Sequence, residues 1–134
     1  MTRFAWENYR KYAWGRNELK PLSRSGHQAG IFGGASNAGA TIIDAMDTLY
    51  VMGLESEFKD GHEWIINQFS LNTNSDLSAF EVNIRFVGGL LALYTFTQEK
   101  VYLDKATEVA NLLLPIFDTP TGIPYALVNP QRYL

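Results

Sequence analysis

Residues 79–97 read AFEVNIRFVGGLLALYTFT, and this stretch decides the fold class. At 100° per residue, a helix over these residues carries apolar side chains on two nearly opposite sides. One side consists of Phe80, Ile84, Val87, Leu91 and Tyr94, and the other of Val82, Phe86, Leu90 and Leu93. A helix that is apolar over most of its circumference is usually buried. The pattern therefore predicts a core helix.

The remaining stripe of this helix carries its only two charges. Glu81 and Arg85 lie four residues apart on one face, and Gly88 and Gly89 follow them. Glycine inside a helix costs about 1 kcal/mol relative to alanine, so the two glycines indicate that another backbone packs closely. On spacing alone, Glu81 and Arg85 fit an ordinary surface ion pair. Because burying ions is costly, a buried pair would instead indicate an acid/base or sugar-binding group.

The same periodicity, bounded by glycine, asparagine and proline, predicts four more helices. They lie near residues 3–14, 40–53, 56–69 and 99–114. Residues 20–38 have little periodicity and predict a loop, whose length is typical of functional or disordered segments. No segment shows sustained alternation with period two, so little strand is expected. The predicted class is all-α.

An internal repeat links these helices. A shift of 44 residues aligns two segments that each read helix, short turn, helix. The aligned pairs are Leu49 and Leu93, Tyr50 and Tyr94, Glu55 and Glu99, Phe58 and Tyr102, Asp60 and Asp104, and Ile65 and Val109. Such a period fits stacked helical hairpins, which normally come in threes or more because each buries its faces against its neighbours. We therefore expect part of a larger helical array or toroid.

Two further carboxylates lie in the helix predicted near 40–53. Its other positions are largely apolar, whereas Asp44 and Asp47 lie three residues apart on the remaining face, and no cation occurs between Arg24 and Lys59. One interpretation is that Asp44 interacts with the helix dipole and that Asp47 is solvated. The other is an enclosed polar pocket with one or two carboxylates. The spacing leaves both open.

Composition and charge exclude several classes. The 134 residues are 46% hydrophobic, carry a formal net charge of −3 and contain no cysteine. A disordered chain would be poorer in apolar residues, general nucleic-acid binding has no electrostatic support, and disulfides and thiolate metal sites are impossible. The strongly apolar run 86–94 is about half the length that a membrane-spanning helix needs. Charge is uneven, however: residues 1–24 sum to +4 and residues 25–81 to −7.

Most familiar catalytic motifs are missing. His62 and Glu63 lack the second histidine of a zinc helix, and the glycines after residue 30 lack the lysine of a phosphate loop. What remains is carboxylates and aromatics within helical hairpins, a composition suited to glycoside hydrolysis. Aromatic side chains near the N-terminus could stack on sugars, although core packing is their commoner use. They are Trp6, Tyr9, Tyr12 and Trp14.

Four segments resemble motifs of the class I α-1,2-mannosidases, glycoside hydrolase family 47. They are YAWGRNELKP at 12–21, GATIIDAMDTLYVMG at 39–53, FEVNIRFVGGLL at 80–91 and TPTGIPYALVN at 119–129. The residues of these motifs most resemble those of the Golgi-type animal enzymes. The resemblance implies an (α/α)7 barrel of helical hairpins. It also implies an inverting hydrolase that uses bound Ca²⁺ to trim α-1,2-linked mannose from high-mannose N-glycans on glycoproteins.

The resemblance also implies roles for individual residues. Glu81 matches the proposed catalytic acid, and Asp44 matches an acid needed for activity, so both are predicted to be catalytic. Arg85 matches the arginine that lines the sugar site, and the neighbouring Asp47 is placed with it as substrate-binding. No residue of this chain is assigned to a metal, because the calcium-binding threonine of the family would lie beyond it. An inverting site keeps its two carboxyl groups about 6.5–9.5 Å apart to admit a water.

The four motifs lie between residues 12 and 129 and cover nearly the whole chain, whereas residues 130–134 depart from the pattern. The family's later carboxylates, its cysteine pair and its N-terminal type II membrane anchor are not in this sequence. We therefore expect residues 1–134 to be the N-terminal portion of one catalytic domain, as a fragment, splice form or incomplete gene model. This portion would need the missing remainder of the barrel, would be inactive alone, and would belong to an enzyme of the Golgi or endoplasmic reticulum lumen.

Two other functions remain open at this stage. One is a degradation-enhancing, lectin-like relative of the same family that recognises misfolded glycoproteins. Against it, residues 13–19 resemble the processing-enzyme version of the motif. The other is a helical-repeat scaffold that binds a protein partner, for which Glu81 and Asp44 would have no role in glycan chemistry.

Overall fold

The structure, a computed structural model, describes residues 1–34 and 37–132. In these ranges the chain forms helices α1 (Thr2–Ala13), α2 (Ala40–Val51), α3 (Glu55–Gln68), α4 (Ala79–Thr97) and α5 (Lys100–Leu113), followed by a 3-10 turn at Leu114–Phe117. Short strands are β1 (Glu18–Lys20), β2 (Ser25–His27), β3 (Leu77–Ser78) and β4 (Leu127–Val128). Each helix begins and ends within a few residues of its predicted bounds.

The four central helices form two hairpins. Helix α2 packs against α3, α4 packs against α5, and the first helices of the two hairpins, α2 and α4, pack against each other. Two contacts show that α2 and α4 run in the same direction. Arg85 reaches Asp44 near their N-terminal ends, and the Tyr50 hydroxyl donates to the Phe96 carbonyl 3.1 Å away near their C-terminal ends. The predicted pair of helical hairpins is confirmed.

Helix α4 is buried on one of its two apolar sides. The side that packs into the core has no accessible surface at Val82, Phe86, Leu90 and Leu93. On the other side, 67% of Phe80, 49% of Ile84 and 42% of Leu91 is exposed. Val87 and Tyr94 of this second side are partly buried against the core. The prediction of a helix buried nearly all round is therefore right for one side and only in part for the other.

A close approach between α2 and α4 explains one of the two glycines. A Cβ on Gly89 would lie 3.2 Å from Cγ2 of Ile43 and 3.6 Å from its carbonyl oxygen. A Cβ on Gly88 would meet nothing closer than 3.9 Å. The expected backbone contact is thus confirmed at Gly89, whereas Gly88 faces open space.

Helix α1 lies on α3 and carries the N-terminal aromatics. Arg3 pairs with Glu57 at 2.6 Å and Arg10 with Asp60 at 2.5 Å. Between these ion pairs lies an aromatic cluster in which Trp6 and Tyr9 are buried and Trp14 packs edge-on against Trp6. Core packing is therefore the role of these three rings.

The region predicted as an irregular loop at 20–38 contains strand structure. Strands β1 and β2 pair antiparallel, with Glu18 opposite His27 and Lys20 opposite Ser25. Further along, Phe32 bridges to Leu77, which is itself paired with Val128 of β4. These strands are two or three residues long, too short for alternation to be visible in the sequence. The expectation of little strand holds in amount, but the expectation of an unstructured loop was wrong.

Asn17 ties this region to the start of α2. Its side-chain carbonyl accepts a hydrogen bond from the Ala40 backbone N–H at 3.1 Å, and its own backbone carbonyl accepts from the Thr41 hydroxyl at 2.7 Å. Helix α2 has no capping side chain of its own at Gly39. Asn17 therefore satisfies a free N–H at the N-terminus of the helix that carries Asp44.

Helix α4 is, in the part of the chain that the structure describes, the single segment with the length and hydropathy of a membrane span. It has 19 residues and a mean hydropathy of 1.2, and it includes Glu81 and Arg85, which lie outside the strictly apolar run 86–94. Phe86 and Leu90 are fully buried in the hairpin core, whereas 28% of the apolar stretch as a whole is buried.

Replacing Gly39 by alanine is expected to destabilise the fold by about 3 kcal/mol, from overpacking together with a left-handed backbone. Gly39 has φ +55°, and a Cβ there would overlap the ring of Trp64. Gly53 is the matched control, because its φ is +65° but a Cβ would meet nothing within 4 Å. Gly53→Ala should therefore cost only about 1 kcal/mol of backbone strain. Urea unfolding measures both, and equal losses would contradict the packing argument.

Candidate functional site

One guanidinium joins the two helical hairpins. Nε of Arg85 donates to Oε2 of Glu81 at 2.6 Å, and Nη1 of Arg85 donates to Oδ2 of Asp44 at 2.6 Å. Glu81 and Arg85 belong to α4, whereas Asp44 belongs to α2. Three of the four predicted site residues, which lie up to 41 positions apart in sequence, are therefore in direct contact.

A π-helix begins directly after Glu81 and carries Arg85. It spans Val82–Val87 inside α4, between an α-helical turn at Ala79–Glu81 and an α-helix at Gly88–Thr97. Within it the Gly88 N–H donates to the Asn83 carbonyl, five residues back. Such segments are frequent at functional sites. The ion pair between Glu81 and Arg85 thus lies where the α-helical turn passes into the π-helix.

A serine cap fixes the start of this helix. The Ser78 hydroxyl accepts a hydrogen bond from the Glu81 backbone N–H at 3.4 Å. In a complete capping box the glutamate three residues after the cap would bind the backbone N–H of the serine. Here the Ser78 N–H donates instead to the Ile31 carbonyl at 2.8 Å, which leaves the Glu81 carboxylate for Arg85. Ser78 was not among the predicted site residues, although its spacing to Glu81 carried the signal.

The cluster is open to solvent on one side. The exposed fractions of the Glu81, Asp44 and Arg85 side chains are 24%, 35% and 41%. The cluster is thus neither a sealed buried pair nor a freely solvated one. It carries two carboxylates for one guanidinium, which leaves a net negative charge at a surface that a ligand can reach.

Electrostatics distinguish Asp44 from an ordinary surface aspartate. Burial raises the pKa of the Asp44 carboxyl above its usual value, the charges of Asp47 and Glu81 act in the same direction, and the hydrogen bond and charge of Arg85 oppose them. The hydrogen bonds that Arg85 donates to Glu81 and then to Asp44 raise the pKa of Arg85. Arg85 therefore remains a cation, while Asp44 holds a proton more readily than a free aspartate.

This shift predicts how Asp44 titrates. Its pKa in the folded protein should lie above the ordinary value of about 3.9, so its contribution to stability is full at acid pH and is lost as pH rises through the folded pKa. Carbon NMR of the carboxyl group measures it directly. Arg85→Gln should raise the pKa of Asp44 further, and Glu81→Gln should lower it. An unshifted Asp44 in the unsubstituted protein would contradict the account.

Asp47 lies outside the hydrogen-bonded cluster. Its carboxylate accepts from the Thr48 hydroxyl at 3.2 Å and borders a hollow of about 240 Å³ that also touches Val51, Met52 and Phe96. It influences Asp44 only through its charge. Its predicted role in sugar binding stays a prediction.

The described residues do not fit a calcium site by themselves. Among residues 1–34 and 37–132 there is no group of three histidine, aspartate or glutamate side chains placed to hold a metal ion. Calcium takes six to eight oxygen ligands, and the Glu81 and Asp44 carboxylates already bind Arg85. No catalytic step is therefore assigned to a metal on these residues.

Comparison with known proteins now relates this geometry to a family. The sequence profile described as "Glycosyl hydrolase family 47" matches residues 1–133. A mannosyl-oligosaccharide alpha-1,2-mannosidase IA of Drosophila melanogaster is 59% identical over 96% of this chain. A mannosyl-oligosaccharide 1,2-alpha-mannosidase IB of Mus musculus is 56% identical, also over 96% of it.

A solved structure of similar fold is also known. The alpha-1,2-mannosidase from Trichoderma reesei superposes on 97% of this chain with a TM-score of 0.88 and 27% sequence identity. The match covers 29% of that structure, and the chain spans about a fifth of the length of the two curated relatives, 19% and 20%. Profile, sequence and structure agree over nearly every residue of the chain, which therefore belongs to glycosyl hydrolase family 47.

Proposed function

We propose that this chain is the part of an inverting α-1,2-mannosidase that supplies Glu81, Arg85 and Asp44 to the sugar site. The observation that carries the proposal is the single guanidinium that holds both carboxylates at a partly exposed surface. The names of the matched relatives support mannosyl-oligosaccharides as the substrate class. The substrate proposed here is terminal α-1,2-linked mannose on high-mannose N-glycans of glycoproteins.

In this mechanism Glu81 acts as the general acid. It delivers a proton to the glycosidic oxygen as the bond to the anomeric carbon breaks, directly or through a water. Arg85 holds the Glu81 carboxyl in place by its 2.6 Å hydrogen bond. Glu81 carries this proton before the step, and as it gives the proton up its carboxylate makes the cluster negative. That charge favours the positive charge that develops on the sugar ring in the transition state.

Asp44 acts through Arg85 in the same scheme. Its carboxylate holds the second nitrogen of the guanidinium at 2.6 Å and fixes the direction in which Arg85 faces Glu81. Since both carboxylates bind one guanidinium, neither is placed across a sugar ring from the other. The base that activates the attacking water must therefore come from another part of the enzyme.

The remaining barrel is part of the proposal. The exposed apolar side of α4 at Phe80, Ile84 and Leu91 is the surface on which a further helical hairpin would pack, as required in a closed (α/α)7 barrel. The Trichoderma reesei enzyme has most of its chain outside the matched part, which supports this arrangement. Calcium dependence and a location in the Golgi or endoplasmic reticulum lumen rest on the family resemblance and complete the proposal.

The test is digestion of oligomannose glycans by the full-length protein, followed by mass spectrometry. Loss of terminal α-1,2-linked mannose is expected, while glycans that end only in α-1,3- or α-1,6-linked mannose should stay intact. Equal release from all three linkages would refute the proposed specificity. Glycan binding without any release would instead favour a lectin-like relative, and neither binding nor release would favour a protein-binding scaffold.

A further inference from the structure

A second polar site lies away from the carboxylate cluster, where α1 ends. The C-terminal end of α1 and the β1–β2 hairpin border a shallow, open hollow of about 520 Å³. Four cations line it together with the ring of Tyr12. Arg10 is paired with Asp60, whereas Lys11, Arg16 and Arg24 are not in ion pairs within the described residues. The hollow is polar, and no carboxylate lines it.

These cations differ from most others in the described part of the chain. Ion pairs engage Arg3, Arg10, Lys59, Arg85, Lys100 and Lys105. Among residues 1–34 and 37–132, no carboxylate lies within ion-pair distance of Lys11, Arg16, Lys20, Arg24 or Arg132. Four of these five belong to the segment 11–24, and three of the four line the hollow. Like charges repel at this range, so an anion would stabilise the arrangement.

The fold holds two of the side chains in place. A Cβ on Gly26 would overlap Cγ of Arg16, so the stem of Arg16 packs directly on the bare backbone of β2. Arg24 has φ +51°, an unfavourable conformation for a residue with a side chain, and its guanidinium carbon lies 5.8 Å from the centre of the Tyr12 ring. Nζ of Lys11 approaches the same ring at 5.1 Å.

The pKa of the Tyr12 phenol responds to the positive charges around the hollow. A hydrogen bond from the Lys11 ammonium, with the positive charges of Lys11 and Arg24, lowers the pKa of Tyr12 below its usual value. The positive potential is thus concentrated in the hollow, beyond the +4 carried by residues 1–24.

We propose that this hollow binds a phosphomonoester group. A phosphate dianion matches the excess of positive charge, and its oxygens accept the forked donors of two arginines and the point charge of a lysine. The phosphate could be carried by a small molecule or by a lipid headgroup, since the recognition chemistry is the same. The site goes beyond the proposed hydrolase activity and does not depend on it.

The test is calorimetric titration of the full-length protein with glycerol 3-phosphate. Saturable binding is expected, and Arg16→Gln and Arg24→Asn should each weaken it about tenfold, since each removes a charge-assisted hydrogen bond. Asparagine tolerates the left-handed backbone at position 24. Lys20→Gln is the matched control, because it removes an unpaired charge from the same hairpin without lining the hollow; it should change binding less than about twofold, the size of a screened surface effect.

Further experiments distinguish a lipid headgroup from a soluble ligand and a failed site from a failed hydrolase proposal. Cosedimentation with phosphatidic acid vesicles, competed by glycerol 3-phosphate, would identify a lipid headgroup, whereas calorimetric binding without cosedimentation would identify a soluble ligand. Mannose release by Arg16→Gln should match that of the unsubstituted protein, which keeps this result independent of the hydrolase proposal. No saturable binding of either probe would overturn the site, as would an equal loss in Lys20→Gln.

Discussion

Glu81→Gln in the full-length protein is expected to lower the rate of mannose release by about 10²–10⁴, the usual contribution of a general acid. The amide keeps the shape of the carboxyl group but has no proton to deliver at the glycosidic oxygen. Because sugar contacts elsewhere remain, kcat should fall while KM changes little. Steady-state kinetics on an oligomannose glycan, with mannose as the measured product, give both values.

Glu63→Gln is the control for this experiment. Glu63 is an exposed glutamate whose partner is Lys59, 4.0 Å away on the same helix, and its loss should leave the rate within a factor of about two, as for surface substitutions generally. If the Glu81→Gln enzyme retained full kcat, Glu81 would not be the catalytic acid. The carboxylate cluster would then be a structural link between hairpins.

Residues 1–134 alone are expected to release no mannose at all. Glu81 and Asp44 bind the same guanidinium, so the described residues offer no base positioned across the sugar from Glu81. The measurement is incubation of the purified 134-residue polypeptide with an α-1,2-linked oligomannose glycan. An amount of released mannose above that from a heat-denatured sample would contradict this prediction.

The same polypeptide should self-associate. Phe80, Ile84 and Leu91 leave an apolar side of α4 uncovered, and two hairpins of a repeat array expose such faces. Sedimentation velocity should show species larger than a monomer. Replacing Ile84 and Leu91 by serine should shift the distribution towards monomer, whereas Ile123→Ser, an exposed position outside helix α4, should not. A monomeric unsubstituted chain would contradict the uncovered-face argument.

The helices could be predicted because apolar periodicity and glycine stops are local signals. To predict the contact between Asp44 and Arg85, the internal repeat is required as well. A period of 44 places Asp44 level with Gly88, about one helical turn from Arg85, so the alignment of the hairpins held the information. The strand contacts of Leu77 could not be predicted, because they join short segments about 50 residues apart.

No sequence pattern predicts the π-helix at Val82–Val87. It changes which side chains align along α4. It begins directly after Glu81 and contains Arg85, the two charges of this apolar helix. Ser78 illustrates the opposite case, since its spacing to Glu81 matches a capping box. The structure shows only half of that motif, with the Glu81 carboxylate turned to Arg85 instead. Both departures from local rules occur at the candidate site, where such conflicts are expected.

The measurement that tests the central claim most directly is the configuration of the mannose that is released first. Proton NMR of the full-length protein acting on an α-1,2-linked oligomannose glycan resolves the anomeric signals before mutarotation mixes them. The account predicts β-mannose, because a water attacks the face opposite the bond that Glu81 protonates. First-formed α-mannose, which a covalent intermediate would give, would contradict it.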